Sequence, residues 1–153
     1  MPIANYTGAQ LLQAETLEAI KKEADLILQN KDVARAWQGS RHIKAQLANL
    51  PGEKVKPILG DYRRLTANLK VLALPLLDWE EVKNLISNNL SFLESKYLPV
   101  LKAGLPAWLA TQSGADKNAR VQELLKLLPP DSALRVSLDT ANSPVANLVV
   151  PPA

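Results

Sequence analysis

Apolar residues recur at three- and four-residue steps through most of this chain, the spacing that lines one face of an α-helix. From Gly8 to Gln29 the positions Leu12, Leu17, Ile20, Ala24, Ile27 and Leu28 fall on one side. Thr7 and Gln10 form a capping box at the start of that helix, and Glu18 with Lys22 makes an i,i+4 pair on its wet side. A second helix is predicted over 31–49, with Val33, Ala36, Trp37, Ser40, Ile43, Leu47 and Leu50 along its stripe and Pro51-Gly52 as its stop. Pro57 suits the first turn of a third helix. There Ile58, Leu59, Tyr62, Leu65, Leu69 and Leu72 turn inward, Arg63, Arg64 and Lys70 turn outward, and Pro75 closes the run.

The stretch from Leu74 to Ala110 organises the rest. Asp78 and Glu81 supply a second capping box, and Trp79, Val82, Leu85, Ile86, Leu90, Leu93 and Tyr97 share a face. Asn89 lies near the middle of that apolar stripe, where a buried amide must find a hydrogen-bond partner. Pro99 lacks a donor for the Ser95 carbonyl and pushes Leu98 away from helical dihedrals, so a break is expected there. A short new helix would then run to about Thr111, with Pro106 kinking it again; a continuous bent helix is the alternative. Ser113-Gly114-Ala115 is read as a turn and Asp116 as the cap of a last helix to about Leu128, which Pro129-Pro130 stops.

Beyond that point the pattern changes. Leu134, Val136 and Leu138 alternate with Arg135 and Ser137 as in a short strand, yet no second strand exists for it to pair with. The expectation is therefore an all-α fold: an antiparallel bundle of four main helices plus one or two short ones over residues 1–130. Residues 131–153 would form an extended or flexible tail. Leu-Pro recurs at 50–51, 74–75 and 98–99, which suits helices of equal length stopped by the same device.

A length of 153 residues is enough for a core that needs no staples. The absence of cysteine excludes disulfides, thiolate catalysis and cysteine-ligated metals. His42 is the only histidine and falls among Arg35, Gln38, Gln46 and Asn49, without a carboxylate to orient it; it reads as a solvated surface residue. Asp78, Glu80, Glu81 and Glu94 form no Glu-x-x-His pair, so no di-iron site is expected. Phosphate-binding glycine loops and a G-x-S-x-G elbow are missing as well. No catalytic residue, metal ligand or cofactor is assigned, and an enzyme ranks last among the functions considered.

Surface features carry more. Residues 31–70 hold nine Lys/Arg against three Asp/Glu, whereas the first 30 residues are net acidic. Arg35, Arg41, Lys44, Arg63, Arg64 and Lys70 are candidates for one anion- or partner-binding face. Val145, Leu148, Val149 and Val150 form a candidate docking tail. Leu101, Leu105, Trp108 and Leu109 are candidates for a pocket opened by Pro99 and Pro106. The reading favoured by these features is a non-enzymatic helical interaction protein: an adaptor, assembly factor or accessory subunit with a protein partner. Nucleic-acid or anionic-surface binding through 31–70 is the first alternative, and a small-ligand or lipid-binding bundle the second; a homo-oligomer is compatible with each. No apolar run is long enough to span a membrane and no signal peptide is visible, so the expected location is cytoplasmic.

Overall fold

The structure, a computed structural model, describes residues 2–142, with side chains as far as Leu138. It is all-α, and by compactness the chain divides into two units, Met1–Leu77 and Asp78–Ala153. The sequence expectation had placed residues 1–130 in one bundle.

The first unit opens with a 3-10 turn at Ile3–Asn5, followed by α1 (Gly8–Leu11), α2 (Ala14–Gln29), α3 (Val33–Ala48), α4 (Gly52–Val55) and α5 (Leu59–Leu72), and ends in a second 3-10 turn at Leu74–Leu76. The capping box of Thr7 and Gln10 is present, but the helix it starts is only one turn long. The single helix expected over 8–29 is interrupted at Gln13, whose backbone is extended. A partner far along the chain meets the carbonyl freed at the break. The fully buried Tyr62 of α5 donates its hydroxyl to the Leu11 carbonyl at 2.9 Å, satisfying an acceptor at the end of α1. On α2, Lys21 rather than Lys22 reaches Glu18, at 3.4 Å, which makes the pair i,i+3.

The junction of α2 and α3 shows how local chemistry sets a corner. Asp32 caps α3 by accepting from the Arg35 amide. The amides of Lys31 and Asp32 turn back to the carbonyls of Leu28 and Ile27, the two bonds of a Schellman motif. That motif forces Lys31 to φ 52°, a left-handed conformation that side chains resist. Lys31→Gly is therefore expected to stabilise the protein by about 0.5–1 kcal/mol, read as an increased Tm. Further on, Pro51-Gly52 does more than turn the chain: Pro51 is the N-cap of α4, and α5 begins at Leu59 rather than at Pro57.

The second unit comprises α6 (Trp79–Ala110), α7 (Gly114–Leu127) and α8 (Ala133–Asn142), each in contact with the other two. The Asp78–Glu81 capping box starts α6 as predicted. α6 is kinked at two points, with non-helical dihedrals at Asn89 and at Tyr97. The second interrupts the helical backbone just ahead of Pro99, where the break is expected, and the helix resumes through Pro99 and Pro106 to Ala110. Leu98 is not an outlier; the distortion falls one residue earlier. Asn89 is half-buried, and its amide donates to the Leu85 carbonyl of the preceding turn, which answers its need for a partner. Ser113, not Asp116, caps α7, its hydroxyl accepting from the Asp116 amide.

Residues 133–142 form a helix where an extended segment is expected, and Ser132 joins a local cap to a remote partner. Ser132 is buried, accepts from the Arg135 amide and donates to the Glu94 carboxylate, so it caps α8 while tying it to α6. Leu134 and Leu138, one turn apart, are buried, whereas Val136 is 57% exposed. A strand would have put all three on one face; a helix puts Val136 opposite the other two. The Arg135 guanidinium donates to the carbonyls of Leu125 and Leu128 in the last turn of α7, where a cation suits the helix dipole.

Candidate functional site

The exposed half of α3 carries cations and no acid. Arg41 lies at its centre, with Arg35 and Lys44 toward its two edges at about 100° per residue, while Ala36, Gly39, Ser40 and Ile43 fill the buried side. The Arg41 guanidinium stacks over the Trp37 indole, 4.3 Å from the ring centroid. Such a contact is worth about 0.5–1 kcal/mol at an exposed site and holds the planar fork in one orientation. The spacing was legible, since i,i+4 residues meet on a helix, but Trp37 had been assigned wholly to the core. It is half-buried, and its indole Nε1 is buried without a hydrogen-bond partner.

The six candidate cations do not form one continuous patch. On α5, Arg63 and Lys70 share a strip seven residues apart, and Arg64 lies about 100° round from Arg63. Arg64 lines a cavity of about 230 Å³ with Lys21, Asp25 and Leu28 of α2. Arg35 lines another, of about 250 Å³, with Glu23 and Ile27 of α2 and with Pro2, Ile3 and Ala4 of the N-terminal segment. In both grooves a cation from the basic segment and a carboxylate from the acidic first 30 residues occupy the same wall. The charge imbalance read along the sequence is thus partly offset in space. Arg41, Lys44 and Arg63 remain exposed outside these two cavities.

His42 is not a solvated surface residue. It is half-buried, and its Nε2 donates to the Tyr6 carbonyl at 2.5 Å. A carbonyl can only accept, so that nitrogen carries the proton. Together with Ile3, which is buried and packs against Gly39, this bond fastens the N-terminal segment to α3. A β-carbon at Gly39 would stand 3.2 Å from Ile3 Cδ1, so glycine permits this close approach.

In the second unit Leu101, Leu105, Trp108 and Leu109 are all at most 5% exposed and belong to its core. Trp108 stacks on Trp79 with ring centroids 6.1 Å apart, and the Arg120 guanidinium lies 5.7 Å and 5.9 Å from the two rings. Arg120 also donates to the Gln112 side chain, so this cluster braces α6 against α7. The candidate docking residues Val145, Leu148, Val149 and Val150 lie outside the described residues.

Among the described residues no group of three or more His, Asp or Glu is placed to hold a metal ion. No helix among them is long and apolar enough to cross a membrane. The chain matches no family model, no curated protein and no solved structure.

Proposed function

We propose that this chain is a non-enzymatic helical interaction protein that binds an acidic protein partner through the outer side of α3 and the adjoining part of α5. The observation that carries this reading is the exposed half of α3, which bears cations and no acid, with Arg41 stacked on Trp37 and Lys44 one turn away. Cations presented this way steer an acidic surface into register and raise the rate of encounter more than they raise affinity. Arginine with a fixed guanidinium plane suits bidentate pairing with carboxylates.

A second reading shares the same side chains: the phosphates of a nucleic acid or of an anionic surface would meet them equally well. The protein reading ranks first because the one tryptophan near the face is covered by Arg41, leaving no aromatic platform on which bases would stack.

The experiment compares the wild type with an Arg41→Glu, Lys44→Glu double variant in capture from extracts of the native organism, beside an electrophoretic shift assay with DNA and RNA at physiological salt. The expected result is a specific protein captured by the wild type and lost by the variant, with unchanged circular dichroism and no nucleic-acid shift. Equal capture by both forms sinks the proposed face, and a shift that persists at physiological salt moves the assignment to nucleic acid.

A further inference from the structure

We infer that the cavity enclosed by the N-terminal segment, α2 and α3 binds the α-ammonium head of a small amino-acid-like ligand with an apolar side chain. This inference is independent of the partner face proposed above. Its walls combine three kinds of surface. Pro2, Ile3, Ala4 and Ile27 are apolar; Glu23 supplies a carboxylate; Arg35 and Gln38 supply N–H donors; and Gly39 contributes bare backbone. At about 250 Å³ the space lies just below the range of drug-sized sites, which suits a ligand of a few heavy atoms beyond an amino-acid head group.

Glu23 is the observation that points to a ligand. It is half-buried, lines the cavity, and has no hydrogen bond or ion pair among the described residues. A carboxylate on a cavity wall, with no partner among the described residues, is an acceptor that an ammonium donor can use. Arg35, although it lines the same space, is engaged elsewhere: its Nε lies 3.4 Å from the Asp32 carboxylate. That contact uses Nε and leaves the two Nη groups to donate to a carbonyl or carboxylate oxygen, with the Gln38 amide as a further donor.

The Glu23 carboxylate and the Arg35 guanidinium give the wall both signs of charge, and of its side chains Glu23 is the one that takes an ammonium. The wall therefore favours a head that carries an ammonium and disfavours one that carries a carboxylate alone. An α-ammonium on Glu23, the adjacent oxygen on Arg35 or Gln38, and an aliphatic side chain on Ile3 and Ile27 use every wall at once. A free amino acid and the amino end of a peptide share this head group.

Titration of the full chain by NMR with leucine, leucinamide and N-acetylleucine tests the assignment. Leucine or leucinamide is expected to shift the amides of Ala4 and Gly39, and N-acetylleucine, which has no ammonium, is expected to leave them in place. A response to leucine alone identifies a free amino acid as the ligand, and a stronger response to leucinamide identifies a peptide amino end. Glu23→Gln is expected to weaken binding by about 5-fold, the size of one partly exposed ion pair, with the amide spectrum otherwise retained. Arg35→Gln is expected to weaken leucine more than leucinamide. Silence from all three compounds overturns the inference, as does equal binding of N-acetylleucine or indifference to Glu23→Gln.

Discussion

Leu105→Ala is expected to destabilise the second unit by about 2–5 kcal/mol, the range for removing a buried leucine side chain when the surroundings do not collapse into the space. Leu105 is fully buried in the half of α6 that lies between Tyr97 and the end of the helix, as are Leu101 and Leu109 or nearly so. The measurement is amide hydrogen exchange over residues 79–128 in wild type and variant, with urea unfolding as the second readout. The same substitution separates two views of these side chains. As members of an accessible pocket they would tolerate truncation, with a change of no more than about 0.5 kcal/mol. As core they would not, and protection would fall throughout α6 and α7. Both prolines lie in the helical stretch that follows the kink at Tyr97, Pro99 exposed and Pro106 half-buried, while Leu101, Leu105 and Leu109 fill the interior.

Features set by residues three or four apart were legible in the sequence. The capping boxes at Thr7 and Asp78 depend on side chains that meet their partners within one turn, and both occur as read. The middle of each apolar stripe was legible too. Leu17, Ile20, Ala24 and Ile27 of α2, Ala36, Ser40 and Ile43 of α3, and Tyr62, Leu65 and Leu69 of α5 are buried as the helical period predicts, whereas Leu59 at the start of α5 is exposed. What was not legible depends on partners remote in the chain. The break before α2 coincides with a hydroxyl donated from Tyr62, 51 residues away. The helix α8 depends on Ser132 meeting Glu94, 38 residues back, and an alternation of three apolar residues cannot report that. Of the candidate site, the cations could be counted, but their distribution could not. Only the packing of α2 beside α3 and α5 brings Glu23 and Asp25 into grooves with Arg35 and Arg64. His42 is the sharpest instance, since nothing near it in sequence indicates that its partner is the carbonyl of Tyr6.

Tyr62→Phe is expected to cost the first unit about 1–3 kcal/mol, because the ring still fills its site while the Leu11 carbonyl loses its donor in a place water does not reach. The hydroxyl also predicts how stability responds to alkali. Burial, and secondarily the Asp61 carboxylate beside it, pushes the Tyr62 phenol from 10.0 up to about 12. The group is neutral when protonated, so a raised value means that the folded state keeps a proton the unfolded chain releases. Its contribution is complete below pH 10 and declines as pH rises toward 12, because there the unfolded state binds fewer protons than the native one. That rise corresponds to about 2–3 kcal/mol across the window. Phenylalanine cannot ionise, so the variant lacks this dependence. The expected result is a gap in urea midpoint between wild type and Tyr62→Phe that is widest near neutral pH and closes progressively above pH 10. A gap that stays constant to pH 12 would mean that the phenol is hydrated in the folded protein and that the Leu11 carbonyl is satisfied by something else.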